Sequence, residues 1–247
     1  MQDAIAHFAI RLVCGVGLAL CAMPRQGVAA AFFRIMLLVV LGLAVLFALA
    51  SHGGAFWRGI VLGVVAFAGS IFWLLEYRRT GTAAIGTVFV LALVEIVVFG
   101  GGSFAGAGAG RHWLSAVSAL ATSATLGAAF TGMLLGHRYL TAPGMPLAPL
   151  IWLNAGLGVA TILRLLVSSI ALASGFGTLS QPVYWIWLAL RWLAGILGPM
   201  IVCVMVQRIL RYRNTQAATG VLFVGVILTF IGELTADLLQ RALSVPF

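Results

Sequence analysis

The chain has 247 residues, of which 63% are hydrophobic and only 8% charged. Five acidic and fourteen basic side chains cannot give a soluble domain of this size a polar surface, so its solvent is lipid. Every basic residue is arginine, and the formal charge of +9 is scattered over the ends of apolar runs, which argues against a nucleic-acid partner.

Apolar runs separated by polar or Gly/Pro breaks fall at residues 4 to 22, 28 to 50, 56 to 76, 82 to 100, 113 to 136, 147 to 172, 182 to 207 and 217 to 243. Each is close to or above the ~20 residues that cross a bilayer, which predicts eight transmembrane helices. The first run is followed by GVAAA, an order that also suits a signal peptide, but Arg25 interrupts the approach to any cleavage site. It is read as helix one. Cys14 and Cys21 follow Val13 and Leu20 where a lipoprotein signal needs a small residue, and the three cysteines form no CxxC and no zinc pattern. They read as packing residues, and no metal site is expected. After the fourth run, GGGSFAGAGAG at 100 to 110 reads as a flexible loop.

The fifth run ends in GMLLGHRYLTAPGMPLAPL, residues 132 to 150. Pro143 and Pro146 stop the helix, and Pro149 is tolerated in the first turn of the next. His137, Arg138 and Tyr139 then lie at the membrane interface, as anchors or as a site that hydrogen-bonds a quinone or an anion. Gly132 and Gly136, at helical spacing, predict a close helix contact.

Connections one, three, five and seven carry Arg25, Arg34, Arg78, Arg79, Arg138, Arg208, Arg211 and Arg213, against Arg58, Arg111 and Arg241 on the other side. The positive-inside rule therefore places both termini outside, in the periplasm for an inner-membrane protein.

Helices three and four echo helices seven and eight. Trp57, Leu62, Gly63, Tyr77, Arg78 and Thr80 match Trp192, Leu197, Gly198, Tyr212, Arg213 and Thr215 in one register. One deletion later Ala83, Ala84, Gly86, Phe89 and Val90 match Ala217, Ala218, Gly220, Phe223 and Val224. A four-helix unit returns the chain to its starting side, so copies would run parallel. The expectation is an all-α integral membrane protein of two four-helix bundles, residues 1–110 and 111–247, from a parallel internal duplication.

A charge in hydrocarbon is costly unless paired or wetted, so ionisable residues within the spans mark candidate sites. Arg164, Arg191 and Glu233 fall at similar depth in the outer half, with Asp237 one turn beyond Glu233 on the same helix face. They are expected to form one cluster between helices six, seven and eight, as a substrate or proton site or as a structural lock. Glu95 stands alone in this reading, a carboxyl free to carry a proton. Arg11 is a further buried charge without an assigned partner.

His7, His52 and His112 lie near outer helix ends, too shallow for paired ligands of a buried haem, and there is no CxxCH. P-loop, nucleophile-elbow and HExxH patterns are missing, so a catalytic domain or ATP-driven motor would have to be another subunit. Three functions stay open: a quinone-interacting or proton-conducting membrane subunit of a redox complex with peripheral redox partners, a small secondary transporter, and a structural or assembly protein. Co-purifying redox partners would favour the first, and a lone monomer or homo-oligomer the second. Reporter fusions at Arg79 and Arg213 are expected to read cytoplasmic; a periplasmic signal at either overturns the helix count and the topology.

Overall fold

The computed structural model describes residues 2–99, 109–142, 144–175 and 181–243. Pro143 and most of the glycine-rich stretch at 100 to 110 lie outside them, as do the side chains of Arg111 and His112. The described residues are helical and form no strand. In chain order they are α1 (Gln2–Ala22), α2 (Ala30–Ala50), α3 (Gly54–Leu74), α4 (Arg78–Val94) with a π-helical turn at Glu95–Phe99, α5 (Ala109–Thr141) and α6 (Ala148–Gly175). Then come α7 (Pro182–Trp192), a π-helical turn at Leu193–Leu197, α8 (Gly198–Arg211) and α9 (Thr215–Leu243). Because α7, the turn and α8 make one rod, the described residues form eight helices long and apolar enough to cross a membrane, as the apolar runs predict. It is a polytopic membrane protein.

The widened turn between α7 and α8 has a local cause. Pro199 has no N–H to give to the carbonyl four residues back, and its ring crowds that carbonyl, so the ladder opens there. The amide of Gly198 reaches back to the carbonyl of Leu193. The helices are apolar around most of their circumference, and side chains such as Leu49, Trp57 and Val159 face outward with about two thirds of their surface free. In water such a surface would drive aggregation; in lipid it is the ordinary exterior.

Helix α1 packs on α2, α4 and α5, while α2 packs on α3 and α3 on α4. In the second half α5 packs on α6 and α9, α6 on α8, and α8 on α9. The close contacts rest on glycine. A Cβ at Gly127 would fall 1.9 Å from the carbonyl carbon of Gly15, so the backbones of α1 and α5 touch there. A second crossing brings Gly232 of α9 against Gly195, where a Cβ would meet the Gly195 Cα at 2.1 Å. Of the pair singled out in the sequence, Gly136 lies tightly against Thr219 on α9, whereas Gly132 makes only ordinary contact with Leu222 and Leu153. The lipid-free interior between helices is built from backbone approach and small side chains, as dispersion demands where lipid is as apolar as the protein.

The α3–α4 and α8–α9 connections share one backbone form. Among the described residues Glu76 and Arg213 are the non-glycine residues with positive φ, at 60° and 55°. Each amide bonds a carbonyl three back, from Trp73 and Leu210, and each carbonyl accepts from the residue two on, Arg78 and Thr215. The equivalent residues are thus Glu76 and Arg213, a register two residues away from the one that pairs Tyr77 with Tyr212. Identical side chains therefore do not occupy identical places in the turn.

At the connection between α5 and α6 the Tyr139 hydroxyl donates to the carbonyl of Pro146 at 2.5 Å, closing the loop that the prolines open. Gly27 in the α1–α2 loop, with φ of 77°, lies against the ring of the same proline. Filling the tightest crossing should be costly. Gly127→Ala is expected to lower stability by about 1–3 kcal/mol through overpacking, whereas Gly86→Ala, with nothing within 4 Å of the added methyl, should be neutral or better. Thermal unfolding in detergent measures both.

Candidate functional site

The ionisable residues within the spans lie toward the face where α1 begins and α9 ends, here the terminal face. Glu233 on α9 is 3% exposed, and each of its carboxylate oxygens takes one guanidinium. Arg11 of α1 donates through Nη1 to Oε1, and Arg164 of α6 donates through Nη2 to Oε2 at 2.9 Å. The pair is closed to solvent on the Arg164 side, where that arginine is 1% exposed, while Arg11 keeps a 14% exposed edge. Burial makes the arrangement strongly coupled: removing one partner leaves an uncompensated charge in low dielectric.

The four-residue cluster expected from depth is only partly assembled. Arg164 and Glu233 meet, but Arg191 donates its Nη2 to the Ser168 hydroxyl at 2.9 Å and forms no ion pair among the described residues. Asp237 instead takes Arg241, one turn along α9, at 2.8 Å. Helix rotation explains this. Asp237 is four residues past Glu233, and the drift of about 40° per four residues, with Arg241 on its own helix, draws it toward the terminal face. The partner that sequence reasoning left out is Arg11, whose helix belongs to the other half of the chain.

Glu95 is not alone either. Arg58 of α3 grips it with two hydrogen bonds, Nε to Oε2 at 2.5 Å and Nη2 to Oε1 at 2.9 Å. This corrects the expectation of an unpaired proton carrier. Arg58 sits near a helix end, where an arginine ordinarily reports topology, yet α3 and α4 are antiparallel neighbours joined by a short turn. Residues at equal distances from that turn come level, and this signal was present in the sequence.

Between these charges lies a chamber of about 340 Å³, lined among others by Asp3, His7, Arg11, His52, Arg58 and Glu95. His52 lies two residues past the end of α2, and its Nε2 is 3.2 Å from the Gln2 side-chain oxygen. Beside the chamber runs a second compartment of about 200 Å³ with an apolar lining that includes Trp57, Val61, Leu91 and Val94. Ile10, Phe47, Arg58 and Glu95 border both. Trp57, Val61 and Val94 also face the lipid side, so the groove opens between α3 and α4.

His137, Arg138 and Tyr139 are at the opposite end of the molecule, and their side chains do not converge. His137 is exposed and Arg138 partly so, while Tyr139 is buried on its bond to Pro146. Among the described residues no group of three or more His, Cys, Asp or Glu side chains could hold a metal ion. Comparison with known proteins gives no further handle: no family model, no curated protein and no solved structure is significantly similar to the chain.

Glu233→Gln is expected to cost about 3–5 kcal/mol, because Arg11 and Arg164 lose their shared carboxylate in the interior. Asp3→Asn, on an exposed residue, should cost less than about 0.5 kcal/mol. Equal losses for the two would show that Glu233 does not hold the helices together.

Proposed function

We propose that the protein is a membrane subunit that binds a lipid-soluble quinone in the terminal-face chamber and exchanges protons with water there. The observation that carries the reading is the junction of two compartments of opposite character at Arg58 and Glu95. A quinone has a polar ring and an apolar chain: the ring suits the charged chamber, and the chain suits the groove that opens to lipid past Trp57. A hydrophilic substrate has no use for the groove, and an acyl chain has none for the chamber. Guanidinium N–H groups of Arg11 or Arg58 donate to the ring oxygens, while His7 and Asp3 are the proton acceptors that lead to the exposed rim.

Two electrons and two protons separate the quinone from its reduced form. In this reading the protons pass through the chamber, and the electrons pass to or from a peripheral redox subunit docked on the terminal face. The arginine excess on the opposite face supports placing the chamber on the outer side of a plasma (inner) membrane.

We infer also that residues 1–110 and 111–247 are two copies of one four-helix unit. The same cyclic order of neighbours in each half supports this, as do the matching turns at Glu76 and Arg213 and the contact of the two leading helices, α1 and α5. A parallel pair of units also suits a small secondary transporter, the second reading, with the buried arginines on its path.

Purified protein in mild detergent is expected to carry extractable quinone and to bind a short-chain quinone saturably, followed by tryptophan fluorescence. Glu95→Gln and Trp57→Ala should each weaken that binding about tenfold, equivalent to about 1.4 kcal/mol. Arg34→Gln, on an exposed residue of the opposite face, should leave it unchanged. Absence of both bound and bindable quinone rejects the reading. Substrate flux in proteoliposomes without quinone would put transport first.

A further inference from the structure

We infer that the interior between α6, α7 and α9 holds a small inorganic anion of the halide class between the guanidiniums of Arg164 and Arg191. The first ground is charge. Arg11, Arg164 and Arg191 converge on the Gly232–Glu233 segment of α9, where Glu233 is the single carboxylate. The chain has five acidic residues, and the other four are committed elsewhere. Glu95 holds Arg58 and Asp237 holds Arg241, while Asp3 and Glu76 are exposed at opposite ends of the molecule. One carboxylate among three guanidiniums leaves two positive charges uncompensated by acidic side chains at membrane depth.

The second ground is hydrogen bonding. Arg164 is 1% and Arg191 0% exposed. Each places only its Nη2 on an acceptor, and the Nε and Nη1 of both are enclosed with no partner among the described residues. Buried donors of charged groups are seldom left so.

Ser168 stands one turn beyond Arg164 on the same face of α6, so the bond from Arg191 to Ser168 brings Arg191 to the α6 face that carries Arg164. Cations shut off from water in one helix interface repel unless a negative charge offsets them. The site is cramped: a Cβ at Gly195 would sit 3.4 Å from the Arg191 Nη1 and 2.9 Å from the Gly232 backbone. A compact spherical anion fits such a place better than phosphate or an organic acid. Arg11 links the chamber to this interior, since it lines the chamber and shares Glu233 with Arg164. Binding is reversible and breaks no bond.

The test uses full-length protein purified in gluconate. Radiolabelled chloride is expected to bind saturably at about one ion per chain, and exchange of gluconate for chloride or bromide at constant ionic strength should raise the unfolding temperature. Arg191→Gln should abolish both effects, and Arg241→Gln, on the exposed pair, should keep them. No saturable chloride on the wild-type protein overturns the inference, leaving water as the occupant. Chloride binding that persists unchanged in Arg191→Gln overturns it as well. If Arg191→Gln does not purify, the stoichiometry on the wild-type protein decides alone.

Discussion

Glu233 is the residue on which the rest of the structure turns. It joins α1 from one half of the chain to α6 and α9 of the other, through two guanidiniums held on a single carboxylate. In lipid the hydrophobic effect does not press helices together, so their mutual positions depend on backbone contact and on polar groups that have nowhere else to go. A carboxylate at this depth fixes the rotation of three helices at once, since Arg11, Arg164 and Glu233 must all point inward and at one another. The chamber is assembled by the same constraint, because Arg11 both anchors Glu233 and forms part of the chamber wall.

The two halves dispose of their charge differently. In the first, an arginine near the start of α3 and a glutamate near the end of α4 satisfy each other, Arg58 with Glu95, and the account closes. In the second, Arg191 of α7 and Glu233 of α9 occupy the corresponding helices, yet Glu233 is drawn off by Arg11 and Arg164. Arg191 is left to a serine. Both sites adjoin a π-helical turn, at Glu95–Phe99 and at Leu193–Leu197, where the ladder loosens and a side chain can be re-aimed. If the halves began as copies, the exchange of partners is what distinguishes them now.

Helix number and span limits were legible in the sequence because apolar length outweighs every other local signal in a membrane chain. Depth was legible as well, by counting rise per residue, and it brought Arg164 to Glu233. Rotation about the helix axis was not. Whether Arg191 or Arg11 reaches Glu233 depends on which helices are neighbours, and α1 lies far away in sequence. Asp237 to Arg241 could have been found, since four residues apart on one helix is the ordinary spacing of a surface pair. The aligned Tyr-Arg motifs misled over register, because a turn is set by which residue takes positive φ, not by the identity of its neighbours.

The chamber itself follows from the glycine contact below it. Straight helices that touch at one point separate on either side of it, and α1 and α5 touch where Gly15 meets Ser123 and Gly127. Toward the terminal face His7 and Arg11 of α1 and Ser115 and Ala116 of α5 line the chamber, with Ala6, Ile10 and Ala119 at its packed floor. Small residues on α5 keep that space from being refilled, while the polar groups of α1 let water or a polar ring enter it. A close crossing deep in the membrane and a polar chamber above it are thus two ends of one geometric choice, made by Gly15 and Gly127.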